Sequence, residues 1–440
     1  MPRLQNSNSP PRKIVIIGGG IIGCTTAYYL SHHPSFRGDI DEITIFEAST
    51  IGVAQGASGK AGGLVAKWAY PQELVNVSFP EHVRLAGLYN GAERWGWRYV
   101  NCGDWEGHGE GSLADPGSGH GSGDSNLEQR KGKGLPDDLD WVKESLTDSY
   151  SPMAGTGETA QVHPYLFTTS MLELAQSKGV KLHLGAIVGP IAFDQKKVTG
   201  VFYQSLTAPM EFVPATHAIL CAGPWTPTIL PSLPVKATRA HSIVIQPQPD
   251  VRISPYVLFT KIDLPKGIDG KSASPEIYSR PNNEVYACGP GDNPSLPYSV
   301  DDVKVDDAAC EAIFQHVASI SPELRASTVM KKQACFLATV EKGRLGGPIV
   351  GLAPRMAQGY YIATGHTCWV STHPYQKSVL PPHARNHALN LNIYENGVSI
   401  PKGICNAPGT AKVLAELVYE GKITSANLIN LAPSKYAPTL

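Results

Sequence analysis

The sequence predicts an α/β chain in two parts: a domain built on a parallel sheet, interrupted by a second, α+β unit built on a mainly antiparallel sheet. Three observations predict it. The chain opens on a βαβ pattern with a glycine turn between its first strand and first helix. From about Val235 to Cys335 the pattern shifts to short alternating runs separated by turns. Near Gly359 it returns to a fully apolar strand and then a helix.

Lys13–Ile17 is a β-branched run of the kind that parallel strands buried on both faces require. Gly18, Gly19 and Gly20 follow, and then a helical stretch from about Ile21 to Leu30 that Pro34 ends. Glu42–Phe46 is the second strand, with Glu47 at its end. Further on, His163–Ser177 predicts a helix, and Val180–Leu184, Ile187–Phe193 and Thr216–Ala222 predict strands. In the second unit the strands are Ser242–Gln246, Glu276–Ser279 and Glu284–Cys288, with a helix near Val305–Ile320. Gly359–Thr364 is a buried strand, and Thr410–Glu420 a helix with Gly421 as its C-terminal cap.

Residues 106–138 are rich in glycine, serine and charge and predict a mobile surface loop. The expected division is therefore 13–85, 150–233 and 335–440 for the first domain, with 86–149 and 234–334 for the second.

Lys+Arg (37) nearly balance Asp+Glu (38), which argues against a nucleic-acid binder. The eight cysteines form no C-x-x-C pair, the pattern of a reduced intracellular chain. The polar start MPRLQNSNSPPRK carries no secretory h-region, and no run of 18 apolar residues predicts a transmembrane segment.

The chemistry concentrates at Gly18-x-Gly20-x-x-Gly23. Gly18 permits the tight turn, Gly20 lets a pyrophosphate approach the backbone, and Gly23 lets helix and strand pack closely. The helix N-terminus then offers free N–H groups to the phosphates. Glu47, at the end of the second strand, is placed to accept hydrogen bonds from ribose hydroxyls. The turn, the helix and this acid together predict a Rossmann-type dinucleotide site. A second small-residue loop, Ser49 to Gly63, lets the backbone lie along an extended cofactor.

The pieces IVIIGGGIIG, IFEAS, GASGKAGG, CAGPW, LPVKATRAHS, IYSRPNNEVYACG, GYYIATGH and PGTAKVLAELV occur in one order over most of the chain. In this the sequence resembles the D-amino-acid-oxidase-type (DAO) FAD-dependent oxidoreductases. Relatives there are glycine oxidase, sarcosine oxidase and the fructosyl amino acid oxidases; the sequence is also similar to a eukaryotic branch of oxidoreductases linked in fungi to endosomal traffic. The resemblance implies a GR2-like FAD domain, non-covalent FAD, and oxidation of a C–N bond in a small amine or modified amino acid, with O2 as the electron acceptor. It implies that Gly18, Gly20, Gly23 and Glu47 hold the ADP half of FAD. Ser49, Ala57 and Ser58 would line its pyrophosphate and ribityl path, and Val188 would touch adenine through its backbone. Ala222 and Gly223 would sit against the cofactor, with Gly365, His366 and Trp369 near the isoalloxazine. Gly409 and Thr410 would open the last helix, whose N-terminus stabilises charge on reduced flavin. No general base is required, and neither His241 nor His366 is nominated as one. It also implies a cytoplasmic protein at the surface of endosomes; the alternatives are a flavin-binding or flavin-less protein with a scaffold or trafficking role and no turnover, and an NAD-linked dehydrogenase, which the DAO-like C-terminal half disfavours.

Two departures stand out. Amino acid oxidases clamp the substrate carboxylate with an arginine in the strand after the substrate domain; here Leu337 stands there, and Arg280 and Arg344 are read first as surface or hairpin arginines and only second as substitutes from elsewhere. Cys335 in the same strand is the candidate for covalent flavin attachment, against the reading of a buried apolar cysteine. Second, 33 residues, Val370 to Lys402, separate GHTCW from GICNAPGT. They are read as an insertion with the marks of a translated intron: valine codons begin with GT, a lysine codon can end in AG, and the frame survives removal. His373, His383 and His387 within it are too irregularly spaced to predict a metal site. Tyr278, Tyr286, Trp95 and Trp97 are candidates for lining a substrate cavity or, equally, for core packing.

Overall fold

The structure, a computed structural model, describes residues 10–111, 133–205, 208–340, 347–353, 358–366 and 403–436. Trp369, Arg344 and the stretch 370–402 with its three histidines lie outside the described residues.

The first sheet has six strands, in the order Ile349–Leu352, Tyr360–Thr364, His217–Leu220, Lys13–Ile17, Glu42–Phe46, Lys181–His183. All are parallel except the edge strand Ile349–Leu352. The alternation along Lys13–Ile17 assigns its two faces. Ile14 and Ile16 join the core under the helices Ile21–Ser31, Pro164–Gln176 and Gly403–Glu420, while Val15 and Ile17 join the core under a three-stranded antiparallel meander, Ala186–Asp194, Lys197–Ser205 and Glu211–Pro214.

The second sheet runs Thr328–Val340, Val235–Gln246, Val285–Asp292, Glu276–Ser279, Tyr256–Asp263, Asn101–His108, Thr147–Pro152. It is antiparallel except where Tyr256–Asp263 pairs with Asn101–His108. One face packs Ile243, Ile245, Leu258 and Ile277 against Cys310, Ile313 and Val317 of the helix Asp307–Ala318. The opposite face sends Val244, Val257, Phe259, Tyr278 and Tyr286 into the core of the first sheet's helices, so the two units share one apolar interior.

Several expected bounds move. Glu106, Gly107 and His108 lie in a strand, not a loop, because the parallel ladder with Thr260–Asp263 continues through them. The expected boundaries at 149/150 and 334/335 fall inside the strands Thr147–Pro152 and Thr328–Val340. Val235–Gln246 is longer than its apolar end suggests, since it pairs with Thr328–Val340 along its whole length. The last helix begins at Gly403, seven residues before Thr410, and Gly421 closes it with φ +73°. The seven described cysteines are free, and no helix among the described residues is long and apolar enough to cross a membrane.

Candidate functional site

Lys13–Ile17 has neighbours reached by opposite connections, Glu42–Phe46 on one side and His217–Leu220 on the other, so the glycine turn sits at the topological switch point of the sheet. A cavity of about 720 Å³ opens there, within the ~300–1,000 Å³ usual for small-molecule and cofactor sites. It crosses the carboxyl ends of four adjacent strands, touching Thr364, Cys221, Ile17 and Phe46 in turn. Three inter-strand spacings of ~4.8 Å make a trough about 14 Å wide across those ends alone. An extended, two-ended ligand fits such a trough better than a compact one.

The turn is built as the glycine spacing requires. Gly18 has φ +109°, and a Cβ there would meet the Cys221 carbonyl oxygen at 2.5 Å. A Cβ on Gly23 would lie 1.9 Å from the Gly18 carbonyl oxygen, so helix and turn close only on glycine. Gly18 and Gly20 line the cavity; Gly23 packs behind them. Ser58 Oγ accepts the Ile21 N–H at 2.8 Å and so caps the helix from the short helix Ala57–Lys60, 37 residues away in sequence. The N–H groups of Ile22 and Gly23, next in the first turn, have no intrahelical acceptor; from Cys24, which donates to the Gly20 carbonyl, the ladder begins. No lysine or arginine lines the cavity among the described residues, so phosphate charge there would meet backbone N–H groups and the helix dipole.

Glu47 lines the cavity and holds the turn. Its Oε2 accepts the Gly19 N–H at 2.6 Å and its Oε1 the Ser49 N–H at 2.8 Å. Burial lifts this carboxyl above its usual range, while the N–H groups of Ser49 and Gly19 pull the other way. A carboxylate has about four acceptor positions, so acceptor capacity remains for ligand hydroxyls. Ser49 is fully buried and lies off the cavity; its hydroxyl donates to Asp301 Oδ1 at 2.6 Å and ties this loop to the segment Val300–Asp302.

Ala57, Ser58, Val188, Ala222, Gly223, Gly365 and His366 all line the same cavity. His366 is buried, which drives its imidazole down to about 3, and its Nε2 lies 2.9 Å from Thr410 Oγ1. The ring is thus neutral at ordinary pH. Gly409 and Thr410 do not line the cavity. Gly409 N–H donates to Ser78 Oγ at 2.8 Å, and Thr410 stands behind His366. The helix end that faces the cavity is Gly403 and Ile404. The proline and glycine at 408 and 409 mimic a helix start; inside the helix they instead permit close contact with the helix Gln72–Leu88.

Sequence reasoning missed several lining residues, among them Ile187, Gln204, Trp225, Tyr298 and Phe336. Tyr278, Tyr286 and Trp95 are buried in the core with Trp97 packed against it, and none lines the cavity. Leu337 does line it. Cys335 does not, and burial pushes its thiol up to about 11. His241 is buried, with its Nε2 accepting the Asp306 N–H at 3.1 Å ahead of the helix Asp307–Ala318. Arg280, expected on a hairpin surface, is 4% exposed: it stands just past the strand Glu276–Ser279, and its side chain lies over the Tyr286 ring.

A glycine turn at a switch point, an acid closing the next strand and a trough reaching a helix N-terminus together define a dinucleotide-dependent α/β protein. The family model described as FAD dependent oxidoreductase matches residues 13–377, and the chain belongs to that family, whose cofactor is FAD. A relative from Saccharomyces cerevisiae named "Putative oxidoreductase TDA3" is 30% identical over 545 residues, covering 98% of this chain and 96% of its own. One from Schizosaccharomyces pombe, "Putative oxidoreductase C1F5.03c", is 32% identical over 445 residues, covering 97% and 98%. Among solved structures, glycine oxidase from Geobacillus kaustophilus superposes with a TM-score of 0.65 at 16% identity, covering 96% of this chain and 98% of that one. That likeness is one of fold.

Proposed function

We propose that the chain oxidises the C–N bond of a small amine or modified amino acid. The observation that carries this reading is the cavity running from Glu47, across four strand ends, to the helix start at Gly403. Its residues fit FAD. Gly18 and Gly20 leave bare backbone where Cβ atoms would stand, and Glu47 keeps free acceptor positions. In this reading Glu47 holds the ribose of the adenosine half and Val188 flanks adenine. Ala57 and Ser58 border the pyrophosphate, and Ala222, Gly223, Gly365 and His366 enclose the ring end. Bound FAD supplies the two-electron acceptor: the amine carbon loses a hydride and its nitrogen a proton, giving an imine, and O2 takes the electrons to become hydrogen peroxide.

The protein's part is position and environment. The Gly403 helix end presents a partial positive charge to the far end of the trough. His366, held neutral and fixed by Thr410, adds shape without charge. Apolar Ile22, Phe336 and Leu337 keep water from that end.

Mixing the FAD-loaded protein with a panel of amines and N-alkyl amino acids under anaerobic conditions tests this reading. Bleaching of the visible flavin bands by one class, with recovery and peroxide formation on admitting air, is expected. A yellow protein that no amine bleaches contradicts it.

A further inference from the structure

Residues 293–303 join the strand Val285–Asp292 to the helix Asp307–Ala318 and contain no regular structure beyond the short turn Val300–Asp302. Yet both ends of this segment are fastened to one guanidinium. Arg239 Nε and Nη2 donate to the two carboxylate oxygens of Asp292, at 2.9 and 2.5 Å. Its Nη1 donates to the Lys304 carbonyl oxygen at 3.0 Å. A segment of this length whose ends are held together is a compact loop that can move as a body about its base. That base belongs to the second sheet, through the strand Val235–Gln246.

The tip is held by the first domain. Trp225 Nε1 donates to the Pro297 carbonyl oxygen at 2.8 Å. Asp301 accepts the Ser49 hydroxyl on Oδ1 at 2.6 Å, and on Oδ2 the Thr50 N–H at 2.8 Å and the Thr50 hydroxyl at 3.0 Å. Trp225 follows the strand His217–Leu220, and Ser49 follows Glu42–Phe46; Lys13–Ile17, which leads into the glycine turn, lies between those two strands. Two inter-strand spacings put the flanking strand ends about 10 Å apart. Four residues, Pro297 to Asp301, reach at most ~14 Å. Drawn between these fastenings, the tip passes the Gly18 turn, and Pro297, Tyr298 and Val300 line the same cavity as Gly18 and Gly20.

Apolar packing does little to hold the tip. Val300 is buried, but Leu296 and Pro297 are half-buried and Tyr298 is 67% exposed at the cavity rim. A segment held by polar bonds at a surface opens far more readily than one anchored in a core. Nor does any lysine or arginine among the described residues line the cavity to hold phosphates by charge.

We propose that residues 293–303 form a strap over bound FAD, hinged at Arg239 and latched to the first domain through Trp225 and Asp301, so that FAD enters and leaves only while the latch is open. Trp225 and Asp301 are positioning residues here: they hold a wall of the cofactor site. The strap retains a non-covalent cofactor where ionic contacts are missing. It depends on FAD alone and not on which amine is oxidised.

The test follows FAD loading and release by flavin fluorescence in the purified full-length chain, first stripped of FAD and then reloaded. Loading of wild type is expected to level off as FAD is raised, because opening limits it. D301N, which sets an amide against the Thr50 donors, is expected to raise both that plateau and the release rate ~10-fold. W225F, which removes the indole donor, is expected to raise both ~3–10-fold, and the double variant more than either. The unfolding midpoint of the FAD-free chain should not move. Wild-type loading that stays linear in FAD, or variants with wild-type rates, would overturn the proposal. So would variants that speed release and leave the loading plateau unchanged, since the segment would then be a static wall. Should D301N fail to fold, W225F decides on the same criteria. A folded chain that shows no loading phase at all overturns the strap together with the cofactor site, and is told apart from the other outcomes by that absence.

Discussion

His82 Nε2 lies 2.9 Å from the carbonyl oxygen of Ile404. That oxygen is the one a helix would pair with the N–H of residue 408, and residue 408 is Pro408, which has none. A carbonyl only accepts, so Nε2 carries the proton, and a side chain from the helix Gln72–Leu88 completes the ladder of the helix that faces the cavity. Burial drives His82 down to about 4, so it is neutral.

From this follows an acid sensitivity with a definite sign. A base whose folded pKa is depressed gives its full contribution above the unfolded value of ~6.5 and loses it as pH falls towards 4. His82→Gln keeps a donor and never charges. Between pH 7 and 4.5 the stability of wild type is expected to drop by about 2–3 kcal/mol relative to the variant. Denaturant titrations of both proteins across that range check it; parallel curves would refute it.

Glu276 acts in the opposite direction. Burial raises its carboxyl to about 8, so its protonated form is favoured in the folded state. Its contribution is full below ~4.3 and is lost as pH rises through 8. Glu276→Gln retains an acceptor for the Tyr278 hydroxyl and has no charge to bury. Thermal unfolding should show the variant gaining about 3 kcal/mol on wild type between pH 5 and 8. No pH dependence in the difference would contradict this.

Gly23 admits no side chain, since its Cβ would stand 1.9 Å from the Gly18 carbonyl oxygen. Gly23→Ala should cost at least ~3 kcal/mol and strip the protein of flavin. The measurement is the unfolding midpoint together with flavin content, and an unaltered midpoint would show the turn to be looser than described.

Cys335 lies off the cavity with its thiol pushed up to about 11, too high for ready thiolate chemistry. Acid precipitation of the FAD-loaded protein should therefore release all its flavin into the supernatant. Yellow colour retained on the precipitated chain would mean a covalent link.

The parts of the site legible in the sequence were those whose cause lies within a few residues. The clash that demands glycine at 23 is with Gly18, in the same turn. Glu47 could be placed because it closes the strand beside that turn. Contacts across the chain left no such trace: Ser58 capping Ile21, and Ser49 bonding Asp301, 252 residues on. Pro408 and Gly409 misplaced the last helix because their local signal is that of a boundary, while the partners that make them tolerable, His82 and Ser78, come from another helix. The buried state of Arg280 was invisible for the same reason, since its partners, the Tyr286 ring and the Ala61 carbonyl, are brought to it only by the fold.

The most direct test of the central claim is flavin uptake by the purified full-length chain and by its Glu47→Ala variant, read from the visible spectrum after unbound FAD is removed. Wild type is predicted to hold about one flavin per chain, and the variant to bind at least ~10-fold more weakly, because the charge-assisted bonds to ribose are gone. A folded wild-type chain that stays colourless with excess FAD, or a variant that binds it equally well, would contradict the account.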